Sequence, residues 1–137
     1  MDSRFFHIKT KSNFYLYRKK IEPMCQICDC QQDHGDDFKS IENLQELDCS
    51  GCSGLTSIPD TLVNLQTLDC YSCPRLTSIP PTLVKLQTLD CYTCLRLTSI
   101  PAELVNLQTL HCGWCPRLTS IPPTLVNLQT LSCSGCP

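Results

Sequence analysis

No apolar run in the chain approaches the roughly 18 residues of a membrane-spanning helix, and its charged, aromatic start has no signal-peptide stretch. Both absences argue against membrane insertion and export, so the expected setting is cytoplasmic. A glycine-rich phosphate loop is missing as well, which removes the usual nucleotide-binding signature. His7, His34 and His111 are scattered, and no serine or cysteine stands in a local catalytic context. Cys112 directly follows His111, but alternation along a strand sends neighbours to opposite faces, which disfavours a Cys-His pair. An enzyme is therefore not expected, and no cofactor is implied. Charge is sparse, at 18% of residues against 42% hydrophobic, a balance that fits a globular domain rather than a disordered chain.

What the chain does contain is a repeat. Leu65-Gln66-Thr67-Leu68-Asp69-Cys70 returns at Leu86 to Cys91, Leu107 to Cys112 and Leu128 to Cys133, with a looser first copy from Leu44 to Cys49. The step is 21 residues each time. Each copy is followed by a return segment, Leu55 to Pro59, Leu76 to Pro80, Leu97 to Pro101 and Leu118 to Pro122, and then by a leucine at 62, 83, 104 or 125. A fixed period of this length marks a solenoid, in which each unit buries its apolar side only by stacking on its neighbours. Within a copy, Leu68 and Cys70 are two apart and share one face, while Thr67 and Asp69 take the other, the pattern of a half-buried strand. Paired prolines, as in Ile79-Pro80-Pro81, exclude a regular helix on the return side, leaving extended chain with at most a short turn at Leu83-Val84. The expected architecture is mainly β: one parallel sheet of about five strands, roughly 20 Å wide at a spacing near 4.8 Å.

Thirteen cysteines would suit a disulfide scaffold in a secreted domain, but their number is odd and export is not expected. Ten of them fall at two fixed repeat positions: Cys49, Cys70, Cys91, Cys112, Cys133 and Cys52, Cys73, Cys94, Cys115, Cys136. Such placement is that of core residues, and reduced cysteine is among the most buried side chains. Cys49-x2-Cys52 followed by Cys70-x2-Cys73 also has paired-knuckle zinc spacing, so a zinc-binding protein is an alternative reading. Recurrence in phase with the leucines favours two columns of buried thiols, with Cys73-type residues donating weak S–H bonds to turn carbonyls.

The pattern resembles the leucine-rich-repeat family, with Leu65, Leu68, Cys70, Cys73 and Leu76 at its core positions over about residues 41–137. Cysteine stands at the third leucine, and two residues separate Cys73 from Leu76, as in the cysteine-type repeats of plant immune receptors and F-box proteins. The wording L-x-x-L-D-C-S-x-C-x-x-L-T-S-I-P is similar to arrays encoded by large DNA viruses of amoebae. The resemblance implies a solenoid with extended or short 3-10 convex segments, working as a non-catalytic protein-protein interaction module. A structural role, such as a minor protein of a large virus particle, is the second expectation, with the virion as the corresponding location.

Binding residues should sit where the repeat varies on the outward, concave side of the strands. One column reads Asp48, Asp69, Asp90, His111, Ser132; the next reads Ser50, Tyr71, Tyr92, Gly113, Ser134; the third reads Gly51, Ser72, Thr93, Trp114, Gly135. Asp69, Tyr71, Asp90, Tyr92, His111 and Trp114 are the candidate partner-binding residues, since aromatic side chains are enriched at interface hot spots. The same aromatics could instead pack over the sheet for stability. Arg75, Arg96 and Arg117 form a further column at the turn, read as a solvated basic edge.

Residues 1–40 are expected to form an N-terminal cap or arm preceding the solenoid of 41–137. Their basic start, with Arg4, Lys9, Lys11, Arg18, Lys19 and Lys20, permits an acidic partner, although nucleic acid is not the expected one. Cys25, Cys28, Cys30 and His34 offer a compact set of potential zinc ligands outside the repeat. Pro137 follows the fifth strand closely, an arrangement that predicts self-association or an assembly contact through an open edge.

Overall fold

A computed structural model describes residues 43–137. The proposed cap over residues 1–40 and the Cys25, Cys28, Cys30, His34 set lie outside the described residues. Five strands follow one another: Glu46–Asp48 (β1), Thr67–Asp69 (β2), Thr88–Asp90 (β3), Thr109–His111 (β4) and Thr130–Ser132 (β5). They form one parallel sheet in the order β1-β2-β3-β4-β5. Leu47 pairs with Leu68, Leu68 with Leu89, Leu89 with Leu110 and Leu110 with Leu131, so every partner lies one repeat away. A strand of three residues is too short to persist alone. Its backbone groups and its apolar side are satisfied only by the coils on either side.

The hydrogen-bond ladder extends past both strand ends. Gln66 N and Thr67 N share the Gln45 carbonyl at 2.7 and 2.9 Å, and Cys70 N donates to Asp90 O at 2.8 Å. Beyond the corner, Ser72 N donates to Tyr92 O at 2.8 Å. Pairing therefore spans about twice the length of the assigned strands, which ties each coil to the next through the sheet and into the turn.

The return side is extended chain punctuated by single turns, as the prolines require. Leu65 N, Leu86 N and Leu107 N each donate at 3.0 Å to the leucine carbonyl three residues earlier. The expected short turn at Leu83-Val84 is one such closure, and no helix occurs among the described residues. Side chains lace this edge from coil to coil: Asn106 Nδ2 donates to Val84 O at 2.8 Å, and Thr82 Oγ1 to Asp60 O at 2.7 Å.

Inside, leucine, isoleucine and cysteine fill the core, and no polar side chain is buried among the described residues. Leu68, Leu89 and Leu110 lie beneath the strands, with Leu76, Leu97, Ile79 and Ile100 across from them. The expectation that all ten repeat cysteines are core holds for eight. Cys133 is exposed and Cys136 half-buried, because burial of a coil is completed by the coil that follows it. Leu131 departs for the same reason and is 47% exposed, whereas its equivalents are sealed.

This gradient sets unequal costs for equivalent substitutions. Leu89→Ala should destabilise the array by about 2–5 kcal/mol through lost burial and a residual cavity. Leu131→Ala should cost less than about 1 kcal/mol. Urea unfolding followed by far-ultraviolet circular dichroism measures both.

Candidate functional site

Each strand leads into a sharp corner built from the variable columns. At Asp48, Asp69 and Asp90 the carboxylate Oδ1 accepts the backbone N–H two residues on, from Ser50 at 2.9 Å and from Tyr71 and Tyr92 at 3.0 Å. This is the local turn that aspartate forms readily. The aspartate column, read from sequence as an acidic binding edge, thus also shapes the chain entering the turn. His111 and Ser132 occupy the same column in the last two coils, in register with Asp90 and with each other.

The third column takes the left-handed conformation in every coil. Gly51 and Gly135 have φ of 69° and 74°, while Ser72, Thr93 and Trp114 hold 56°, 57° and 54°. Glycine is unstrained there. A side chain costs on the order of 1–2 kcal/mol, and a β-branched or bulky residue is disfavoured most. The corner is held by what flanks it: the ladder bonds on the strand side and the thiols below. Cys73 Sγ donates to Cys49 O, Cys94 Sγ to Cys70 O and Cys115 Sγ to Cys91 O, each at 3.1 Å. The second cysteine column therefore donates to turn carbonyls as expected, and because each carbonyl belongs to the preceding coil it also bridges coils. The first column does similar work, Cys70 Sγ donating to Asp90 O at 3.2 Å.

Contact with Cys94 and burial push the Cys70 thiol well up, and burial pushes that of Cys112 up to about 12. Thiols raised in this way are poor metal ligands and poor nucleophiles, whereas the hydrogen bond with Cys91 lowers that of Cys115 to about 7. The zinc-like spacing of Cys49, Cys52, Cys70 and Cys73 is not matched in space. Among the described residues, no three histidine, cysteine, aspartate or glutamate side chains are grouped to hold a metal.

Above this frame lie the aromatics. The Tyr71 and Tyr92 rings stack with centroids 5.7 Å apart and planes 9° from parallel. Tyr92 in turn covers Gly113, where a Cβ would fall 2.6 Å from Tyr92 Cε2 and 2.9 Å from the Ser134 carbonyl. Trp114 covers Gly135 in the same way, its Cδ2 lying 2.8 Å from where a Cβ would be. The rings lean along the array, each onto the next coil. Much aromatic surface still faces outward: Tyr71 is 46% and Trp114 57% exposed.

A family model described as leucine rich repeats, in two copies, matches residues 42–83. The same 21-residue unit continues in register through β5. The solenoid and its 21-residue spacing are consistent with a leucine-rich-repeat protein. A search of the curated proteins finds no match for the chain.

All six sequence-chosen residues of the array lie at the sheet face or its corner. Asp69, Asp90 and His111 adjoin along one column, Tyr71 and Tyr92 touch in the next, and Trp114 stands one coil further on, at the left-handed position. Sequence reasoning missed Gly113, which provides the floor beneath Tyr92. It also missed the strain at Ser72, Thr93 and Trp114, for which Gly51 and Gly135 in the same column were the available signal.

Burial, opposed by the Tyr71 N–H and reinforced by the neighbouring charges of Asp48 and Asp90, raises the Asp69 carboxyl above its usual range. The folded state thus disfavours Asp69 in its charged form, a penalty fully present at neutral pH and relieved as pH falls through the raised value. Asp69→Asn keeps an acceptor for Tyr71 and removes the repulsion. It should raise the melting temperature at pH 7 in low salt, with the gain disappearing below about pH 3, where unmodified aspartates are also protonated. Gly113→Ala should destabilise by about 1–3 kcal/mol through overpacking against Tyr92 and the Ser134 carbonyl. A Tyr92→Ala background should remove only the ring's share of that cost, as a double-mutant cycle of denaturation midpoints will show.

Proposed function

We propose that this leucine-rich-repeat array is a non-catalytic protein-binding module that takes its partner on the sheet face and adjoining corner, through Asp69, Tyr71, Asp90, Tyr92, His111 and Trp114. The carrying observation is the aromatic stripe. Leucine, isoleucine and cysteine already account for a closed core, so the fold does not need an exposed tyrosine stack or a tryptophan at a left-handed position. Backbone strain of this kind persists only where surrounding structure enforces it, and it concentrates at functional positions. Tyrosine and tryptophan present large amphipathic surfaces at small entropic cost, as recognition requires.

Part of the stripe contributes to packing, since Tyr92 covers Gly113 and Trp114 covers Gly135. That packing also supports binding, because rings stacked along the array are ordered before a partner arrives and lose less freedom on contact. Contact with Cys94 and burial raise the Cys70 thiol, and burial raises that of Cys112, which makes these two poor nucleophiles and supports a module that holds rather than converts its partner.

Replacing Tyr71, Tyr92 and Trp114 together by alanine should leave the parallel sheet intact by circular dichroism and reduce partner capture from the native source by at least about tenfold, as expected of hot-spot aromatics. Unchanged capture by the folded triple variant would defeat this assignment.

A further inference from the structure

In successive coils an acidic residue precedes the aromatic position along the chain and an arginine follows it past the corner, so the array carries two charged rows that flank the aromatic stripe in sequence. The first is wholly acidic over three coils, Asp48, Asp69 and Asp90, and Glu46 lies beside it at the start of β1. Thr67, Thr88, Thr109 and Thr130 complete the neighbouring outward column, so the sheet face carries no lysine or arginine. The second row is Arg75, Arg96 and Arg117, all exposed, one per coil just past the corner. Arg75 and Arg96 make no ion pair among the described residues. Oδ1 of Asp69 and of Asp90 is occupied by a tyrosine N–H, and Oδ2 of each is left to accept from elsewhere.

Both rows advance by one residue per coil and therefore have the same pitch, near 4.8 Å. An extended peptide cannot match it, because its same-side residues recur at about 6.6 Å. A second array matches it at every coil. A twofold axis parallel to the solenoid axis and lying over the aromatic stripe reverses the columns while keeping coil opposite coil. Asp69 then faces Arg75 of the second copy, Asp90 faces its Arg96, and both pairs recur by symmetry, with Tyr71 and Tyr92 meeting their own counterparts between them. Any slip by one coil breaks the twofold, so the contact has a single register.

We propose that a second copy of this chain docks on the face, forming a symmetric dimer through Asp69–Arg75 and Asp90–Arg96 ion pairs around the tyrosine stripe. The proposal rests on the protein-binding reading above and names the occupant of that same site. Aromatic contact at the centre with charges at the rim is the usual anatomy of an interface, and a twofold interface must be self-complementary. The face is small. Five strands about 4.8 Å apart span roughly 20 Å, and a contact limited to the sheet face and its corner falls below the roughly 1,200 Å² total of a standard interface, in the range of weak, transient encounters. The dimer is accordingly weak, concentration-dependent and sensitive to salt.

Sedimentation velocity of the full chain, from about 5 to about 500 µM and at about 20 and 500 mM salt, tests it. The expected result is a monomer-dimer equilibrium that weakens at least about tenfold in the higher salt. Arg75→Asp and Asp69→Arg should each weaken it about tenfold or more, since each reversal strikes two symmetry-related pairs, and the combined variant should return to within about threefold of the unaltered chain. Arg75 has no part in the fold, so its variant remains informative should Asp69→Arg, which removes a turn acceptor, fail to fold.

A monomer at every concentration in low salt overturns the proposal, as does a dimer indifferent to both reversals or one the combined variant does not restore. A chain that stays monomeric yet binds a fluorescein-labelled hexa-arginine peptide at low salt would assign the face to a cationic segment instead. A monomer that still captures a partner through Tyr71, Tyr92 and Trp114 defeats the dimer and leaves the protein-binding reading standing. Loss of neither dimer nor capture in the triple alanine variant defeats that reading itself.

Discussion

Every coil of this array depends on the next coil lying on it in register. A three-residue strand gains little by itself, and its leucine is removed from water only when neighbours close over it. Fully burying one such side chain stabilises by about 1.5–3 kcal/mol. In the middle coils Leu65, Leu68, Leu76 and Leu83 are all sealed, while Leu131 in the outermost coil is not. The same dependence governs the polar groups, since the ladder bonds and the cysteine S–H bonds all run from one coil to another. Stability in such an array is close to a sum of nearest-neighbour terms.

Stacking at this pitch constrains the corners more than the strands. The chain must leave the sheet and re-enter the core within a few residues, and it does so through one left-handed residue per coil. Glycine fills that position in the first and last of the described coils, but Ser72, Thr93 and Trp114 fill it in the three between. Their conformational cost is borne by the bonds around them: the inter-coil backbone bond at the residue itself, the thiol bridge after it and, at Ser72 and Thr93, the aspartate turn before. A corner enforced by the inter-coil backbone bond and the thiol bridge can present a large side chain in a fixed orientation. For this reason the most exposed aromatic residue of the array, Trp114, stands at one of its most constrained backbone positions.

The aromatic stripe consequently belongs both to the fold and to the surface. Tyr71 stacks on Tyr92, and Tyr92 rests on Gly113, so ring order propagates along the array as backbone order does. The aspartates show the same double use, one oxygen shaping the turn while the other faces outward. With an aspartate before the stripe and an arginine after it along the chain, recurring every 21 residues, the array carries a periodic charge pattern through its corners.

Much of this was readable from the residue order. Partners 21 residues apart in sequence are partners in the sheet, because a strict period leaves a parallel stack only one register that places leucine over leucine. The alternation of Leu68 and Cys70 against Thr67 and Asp69 gave the buried and open faces correctly, and the paired prolines kept helix off the return side. The candidate residues also fell together, since column positions in a repeat translate directly into neighbours. What the order of residues could not show is how neighbouring coils use each other. The left-handed φ of Thr93 and Trp114, the lean of Tyr92 onto Gly113, the turn bond at Asp69 and the exposure of Cys133 all depend on atoms supplied by an adjacent coil or an adjoining turn. Periodicity is a one-dimensional property and specifies which residues meet; the conformations they adopt on meeting follow from packing and hydrogen bonding in three dimensions, where identical repeat positions do not have identical surroundings.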